Sequence, residues 1–181
     1  MSYLGIGEHL WRAEFLRNQL EKTYCSHRQG LFSLALSITC CRHRAEDAVQ
    51  TAFERMCCSG VNPSGSLVNY VFAAVRNAAF DVIRADRRAL KVRESLFDGG
   101  VPVARQSQMP ADELVTQERD QILRVAVQEL DDDDREVVVL KVFAGLTFDA
   151  IAEVLKQPSK TVATRYRRAL LKLEDRLRGK L

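Results

Sequence analysis

Apolar residues recur at helical intervals along most of the chain. The clearest run, over residues 45–56, places its apolar side chains three or one residues apart, which is typical of one buried face of an α-helix. Its members are Ala45, Ala48, Val49, Ala52, Phe53 and Met56. No stretch keeps the period-two alternation of a half-buried strand. The pattern therefore predicts an all-α fold.

Three further helices are predicted in the first half of the chain, over residues 8–24, 26–39 and 67–88. Between the helix that ends at Met56 and the last of these, two glycines and an Asn-Pro pair mark a loop. Ser66 can cap the helix that follows, because its hydroxyl can accept from a free amide of the first turn.

The helix over 67–88 has two different faces. Leu67, Val71, Ala74, Val75, Ala78 and Val82 form an apolar stripe. The other side carries Tyr70, Ala73, Asn77, Asp81, Arg84 and Arg88, with Arg76 and Arg87 flanking them. An aromatic ring, an amide and several arginines suit unstacked bases and backbone phosphate. The same composition also fits an ordinary solvated amphipathic helix.

Residues 89–113 lose the helical periodicity and contain Gly99-Gly100, Pro102 and Pro110. A stretch of this length without periodicity predicts two small helical domains joined by a flexible linker, rather than one compact domain. The predicted domains are residues 1–88 and 114–181. Fully extended, the linker could span about 80 Å at roughly 3.3 Å per residue.

In the second half, helices are predicted over 114–130 and 135–144, with Asp131–Asp134 between them. Four consecutive carboxylates invite comparison with a calcium loop, but the alternating ligands and central glycine of such a loop are missing. At the start of a helix, carboxylates cap free amides and favour the helix dipole. The interpretation is a capping segment, with Gly145 ending the helix that it starts.

Residues 147–177 predict two helices joined by a short turn. Thr147 can cap the first, Pro158 ends it or opens the turn, and Ser159 can cap the second. The second carries an apolar stripe from Val162 to Leu177, and its basic side chains lie off that stripe. Two such helices indicate a DNA-binding helix-turn-helix. The alternative is a helical hairpin with a solvated basic face.

Charge is concentrated at this end of the chain. The formal net charge is +3, yet residues 147–181 alone carry nine Lys or Arg against four Asp or Glu. A local positive excess fits a surface that faces phosphate.

Other classes of protein find less support. The three histidines are scattered, so no catalytic set of serine, histidine and carboxylate is recognisable, and no metal or cofactor is expected. No secretory signal and no apolar run of about 20 residues is present, which predicts a cytoplasmic protein without membrane insertion. Cys25, Cys40, Cys41, Cys57 and Cys58 form no Cys-x-x-Cys pair; they are interpreted as small buried hydrophobes near helix ends, with a redox switch as the alternative.

With these motifs in hand, the chain resembles an extracytoplasmic-function sigma factor of the sigma-70 family, the promoter-recognition subunits of bacterial RNA polymerase. Residues 34–53 resemble the family's region two, and residues 75–84 resemble the helix that reads and melts the minus-ten element. Residues 130–152 resemble region four, and 161–169 its recognition helix for the minus-thirty-five element. Two such motifs in the right order, about seventy residues apart, make the resemblance to this family specific.

The resemblance implies a non-catalytic subunit and the role of each site residue. Asp47 and Gln50 would face the beta-prime clamp of core polymerase, and region four would meet the beta flap. Asn77, with Tyr70 and Arg76, would hold flipped minus-ten bases, while Arg84, Arg87 and Arg88 neutralise phosphate. Thr164, Arg167 and Arg168 would enter the major groove, with Lys160 and Arg165 on the backbone and Thr161 beside them. The implied partners are core polymerase, promoter DNA and an anti-sigma factor.

The chain also departs from the family pattern. Asp131 stands where proline is common, Tyr70 where tryptophan is frequent, and Lys160 where glycine is usual. Ala163 replaces a basic residue, which removes one expected DNA contact and implies a different promoter preference. The alternative function is a stand-alone helix-turn-helix regulator, which would bind a specific duplex without polymerase.

Overall fold

The computed structural model describes the backbone of residues 4–59, 65–96 and 117–178, and the side chains of 14–59, 65–90 and 122–178. Within these ranges the regular structure is helical and contains no β-strand, so the prediction of an all-α fold is confirmed. The helices are α1 Leu4–Thr39, α2 Arg42–Ser59, α3 Leu67–Leu96, α4 Gln117–Gln128, α5 Asp132–Val142, α6 Phe148–Leu155 and α7 Ser159–Leu177.

The first helical unit consists of α1, α2 and α3, which pack against one another around a common apolar core. The predicted face of α2 is confirmed, with Ala45, Ala48, Val49, Ala52 and Met56 buried. The predicted division of α1 near Cys25 is wrong, because the helix is continuous from Leu4 to Thr39. No proline interrupts that stretch, and α1 ends only where Cys40 adopts a left-handed backbone conformation with φ of 52°.

Helix α3 runs eight residues beyond its predicted end at Arg88, so the first part of the predicted linker is helical. Ser66 precedes the helix, and its hydroxyl oxygen accepts from the Asn69 amide at 3.5 Å. Phe72 and Ala79 are fully buried although the sequence pattern left them off the apolar stripe. The remaining linker residues, 97–113, lie outside the described part of the chain.

The second unit consists of α4 to α7. The Thr147 cap is confirmed, because its hydroxyl oxygen accepts from the Ala150 amide at 3.2 Å. Gly145 follows α5 with a positive φ of 67°, a conformation that glycine adopts at little cost. The predicted cap at Ser159 is wrong by one residue, since Pro158 holds the capping position and Ser159 is the first residue of α7. Helix α5 likewise starts three residues before its predicted first residue, Arg135.

The two units do not stand apart. Helix α5 packs on α1, and α6 packs on α3. A single cluster of buried residues runs from Leu31 and Val75 of the first unit to Val137, Leu140 and Ile151 of the second. We call this packing of α5 and α6 on α1 and α3 the closed arrangement. The sequence predicted two tethered domains and carried no signal that they meet.

Gly30 of α1 lies against Ala144 of the second unit. A Cβ atom at this position would lie 2.8 Å from the Cα atom and 3.0 Å from the Cβ atom of Ala144, which follows α5. Backbone atoms that close to a side chain must move. The closed arrangement therefore depends on the absence of a side chain at residue 30.

We predict that Gly30→Ala opens the closed arrangement without unfolding the chain. Alanine is favoured over glycine inside a helix by about 1 kcal/mol, so α1 itself should gain stability. The radius of gyration from small-angle X-ray scattering should rise. Gly65→Ala is the matched control, because a Cβ atom there meets nothing within 4 Å and the radius should not change. An unchanged radius for Gly30→Ala would show that the contact is not required.

Candidate nucleic-acid interface

The face of α3 that was predicted to hold unstacked bases is partly open to solvent. Asn77 is exposed, and Tyr70 retains 39% of its accessible surface. Further along the same helix, Arg84, Arg87 and Arg88 are also exposed. An aromatic ring, an amide and three guanidinium groups therefore follow one another along a solvent-facing stretch of α3, which suits a single strand of nucleic acid.

Arg76 lies on the same helix but is already bound. Its Nε donates to Oε2 of Glu136 at 2.6 Å, and its Nη2 to Oε1 at 3.4 Å. Glu136 belongs to α5 of the second unit, and its side chain is only 5% exposed. The Arg76 guanidinium also lies 4.8 Å from the ring centroid of Phe80. In the closed arrangement, Arg76 is therefore a contact between the units and is not free to bind DNA.

Burial raises the pKa of Glu136, and the hydrogen bond and positive charge of Arg76 oppose that rise without cancelling it. The nearby carboxylates of Asp133 and Asp132 act in the same direction as burial. The pair with Arg76 is thus made at an energetic cost, as is usual for a buried carboxylate.

Two other polar contacts cross between the units. Nδ2 of Asn69 in α3 donates to Oε2 of Glu153 in α6 at 2.6 Å. Nη1 of Arg135 in α5 donates to the carbonyl oxygen of Ser37 in α1 at 3.1 Å. Both α5 and α6 are therefore fixed to the first unit by directional bonds as well as by apolar packing.

Helix α7 divides the predicted DNA contacts into two sets. Lys160, Thr161, Thr164 and Arg167 are exposed. Among the side chains that the structure describes, none pairs with Lys160 or Arg167. The Thr164 hydroxyl donates to the carbonyl oxygen of Lys160 at 2.9 Å, which is the usual bond of a threonine within a helix. These four residues are exposed, and none of them is held by a described carboxylate.

The second set, on another face of α7, is held by the carboxylates at the start of α5. Arg165 pairs with Asp133. Arg168 donates two hydrogen bonds to Asp134, from Nε at 3.2 Å and from Nη2 at 2.6 Å. Lys172 donates to the same Asp134 at 2.9 Å.

Lys172 also donates to Asp131 at 2.5 Å, and that hydrogen bond holds the pKa of Asp131 below its ordinary value. Burial alone would raise the pKa of Asp134, but hydrogen bonds from Arg168 and Lys172 outweigh it and leave that pKa lowered. The pairing in turn raises the pKa of Arg168 and of Lys172. The carboxylates of Asp131 and Asp134 are therefore ionised at neutral pH.

The capping interpretation of Asp131–Asp134 is right about their position at the start of α5 but wrong about their contacts. Asp131 holds the capping position of α5, yet its side chain makes no cap bond. Three of the four carboxylates bind cations of α7, and Asp132 pairs with Arg135 within α5. A signal was present in the sequence, because Arg165, Arg168 and Lys172 recur at three and four residues and so share one helix face.

The predicted polymerase contacts lie on the exposed face of α2. Asp47 is exposed, and Nε2 of Gln50 donates to Glu54 at 2.7 Å. Beside them a cleft of about 770 Å³ opens between α1 and α2, with the rings of Tyr24 and Phe53 in edge-to-face contact on its wall. An apolar cleft with a polar rim is suited to receiving a protein partner.

The prediction of buried cysteines is wrong. Cys25, Cys57 and Cys58 are exposed, whereas Cys40 and Cys41 are half-buried. Cys25 also lies well inside α1 instead of at a helix start. Among the described side chains, no group of three or more His, Cys, Asp or Glu residues is arranged to hold a metal ion. None of the described helices is long and apolar enough to cross a bilayer.

Comparisons with known proteins agree with this geometry. The profile of "Sigma-70 region 2" matches residues 23–89, and that of "Sigma-70, region 4" matches residues 120–173. No curated protein sequence matches the chain.

Two solved structures share the fold at low sequence identity. One is the sigma factor RpoE in complex with the anti-sigma factor NepR from Bartonella quintana. It is 20% identical, with a TM-score of 0.64, over 90% of this chain and 96% of that one. The other is CnrH in complex with the cytosolic domain of CnrY, 21% identical, with a TM-score of 0.62, over 94% of this chain and 95% of that one.

We predict that Glu136 lowers the free energy of unfolding as the pH rises. Its pKa is higher in the folded chain than in the unfolded one, so the folded chain binds an extra proton between the two values. Stability should therefore fall as the pH rises through that window, which begins at about 4.3, by at most about 1.4 kcal/mol per pH unit. Asp131 and Asp134 have lowered pKa values, so the stability that they contribute is lost only as the pH falls below about 3.9.

Glu136→Gln supplies the control, because the amide oxygen can still accept from Arg76 but does not titrate. The measurement is urea unfolding of both proteins between pH 4 and 7. The stability of the wild type minus that of the variant should decrease with pH. A difference that stays constant or increases would contradict the raised pKa.

Proposed function

Because the chain belongs to the sigma-70 family, whose members direct promoter recognition by bacterial RNA polymerase, we propose that it is an extracytoplasmic-function sigma factor for a stress- or signal-responsive set of promoters. It acts in the cytoplasm as a specificity subunit and performs no catalysis itself. The observation that carries this proposal is the presence of regions 2 and 4 in order within one chain. A stand-alone regulator would have no need of region 2.

Each unit then has its own target. Residues 1–88 bind core polymerase through Asp47 and Gln50, and the minus-ten element through α3. Residues 114–181 bind the minus-thirty-five element through α7. The exposure of Asn77 and Tyr70 supports the assignment of α3 to the minus-ten element, and the exposure of Thr164 supports that of α7 to the minus-thirty-five element. Each base-edge contact is worth on the order of 1–3 kcal/mol of discrimination.

The closed arrangement is incompatible with binding both promoter elements at once. The two elements lie about 25 base pairs apart by their names, or roughly 85 Å at 3.4 Å per base pair. In the closed arrangement, Arg76 of α3 and Arg168 of α7 bind Glu136 and Asp134, which are two residues apart on α5. The chain must open before it can occupy a promoter, and the 20 residues between Leu96 of α3 and Gln117 of α4 could span about 66 Å when fully extended, which allows the units to separate.

An anti-sigma protein is the partner expected to oppose this opening. One of the two similar structures is the sigma factor RpoE in complex with the anti-sigma factor NepR. A partner that binds both units would keep Arg76 on Glu136 and so withhold one predicted minus-ten contact. Release of that partner would then permit opening on core polymerase.

The proposed function is tested by run-off transcription. Core polymerase with this chain should initiate at discrete sites in a genomic promoter library, and core polymerase alone should not. Binding of a specific duplex by the chain without polymerase, together with no initiation anywhere, would favour the stand-alone regulator.

We predict that Asp47→Arg abolishes binding to core polymerase, because it places a positive charge at the centre of the exposed α2 face. Co-purification with core enzyme measures the effect, and circular dichroism should show an unchanged fold because Asp47 is exposed. Asp175→Arg is the matched control, being the same charge reversal at an exposed position of α7. Normal co-purification of the Asp47 variant would refute this docking role.

A further inference from the structure

The start of α5 and the middle of α7 form a charge cluster that was not predicted from the sequence. Its acidic members are Asp131, Asp133 and Asp134, which we call the α5 carboxylates. Its basic members are Arg165, Arg168 and Lys172 of α7. Three positive charges of the predicted recognition helix thus face three negative charges of the same unit.

The pairs are built differently from ordinary surface salt bridges. The Asp134 side chain is fully buried, and its two oxygens receive two bonds from Arg168 and one from Lys172. A buried carboxylate cannot release such partners to solvent without a large desolvation penalty. Arg165 is also mostly covered, with 23% of its side chain exposed. The Arg168 side chain is 56% exposed, but its guanidinium group is bound to the buried Asp134, so all three cations are held by the α5 carboxylates.

Two other cations of α7 have no such partner among the described side chains. Lys160 and Arg167 are exposed, and no described side chain pairs with either. Thr161 and Thr164 are exposed on the same part of the helix. The groups that are free to meet DNA are thus two cations and two short polar side chains, whereas three further cations are neutralised.

We propose that the α5 carboxylates set the DNA discrimination of region 4 by keeping Arg165, Arg168 and Lys172 off the phosphate backbone. This inference rests on the proposed function, in which α7 reads the minus-thirty-five element. Phosphate contacts add affinity for every sequence alike, whereas contacts with base edges distinguish one sequence from another. Withholding three cations from phosphate lowers binding to random DNA and leaves selection to Thr164 and Arg167.

The test is the double variant Asp131→Asn/Asp133→Asn in the full chain. Both carboxylates are well exposed, at 73% and 58% of their side-chain surface, so the fold should be retained. Asp134 is left intact because it is buried. The double variant frees Arg165 and removes one of the two partners of Lys172.

The probe is a fluorescent mixed-sequence 30-base-pair duplex, titrated at several salt concentrations. One or two additional phosphate contacts should steepen the slope of log K against log salt by about 0.9 to 1.8. Affinity for this duplex at low salt should rise several-fold. In holoenzyme, the affinity ratio between a promoter recovered by run-off transcription and the random duplex should fall by a similar factor.

Asp149→Asn/Asp175→Asn is the matched control, because it removes the same two charges from exposed positions of the same unit that pair with no described cation. It should change the slope far less. Equal slopes for the two double variants, or an unchanged affinity ratio, would overturn the inference. Failure of the wild-type chain to initiate transcription would instead contradict the proposed function, and the random-duplex titration would still report on the carboxylates.

Discussion

Helix α5 holds both candidate DNA-binding helices at once. Glu136 receives Arg76 from α3, and Asp134, two residues earlier, receives Arg168 from α7. Both carboxylates are buried, and they are followed by a run of buried apolar residues from Val137 to Leu140. Two buried carboxylates on one short helix are tolerated only when each is paired, because an unpaired buried charge is strongly destabilising. The closed arrangement satisfies both pairs, whereas separating the units would leave Glu136 without Arg76.

The parts of the fold that depend on local pattern were predictable. The buried face of α2, the Thr147 cap and the turn at Gly145 each rest on residues close together in the chain. The break predicted near Cys25 was wrong, because no proline stands there and the helix continues from Leu4 to Thr39. The burial of Phe72 and Ala79 was not predicted, because the side chains that cover them come from distant segments of the chain. Local periodicity carries no information about a partner so far along the chain.

In the candidate site, too, some features follow from local pattern and others depend on distant parts of the chain. Exposure of Asn77, Lys160 and Arg167 followed from the position of each residue on an amphipathic helix. Whether an arginine is free to bind DNA does not follow from its helix face, because that depends on which carboxylate approaches it from another helix. Arg76 and Arg168 were predicted as DNA contacts with equal reason, and each is bound to α5 in the closed arrangement.

Gly30 carries a consequence beyond this one chain. Since no side chain fits between α1 and Ala144, the identity of the residue at this position indicates whether a related protein can adopt the same packing. Relatives with alanine or a larger residue at this position would have to adopt a different conformation, whereas those with glycine can adopt the closed arrangement. In an alignment, the residue at the position of Gly30 would therefore separate relatives that can adopt the closed arrangement when unbound from those that cannot, before any of their structures is determined.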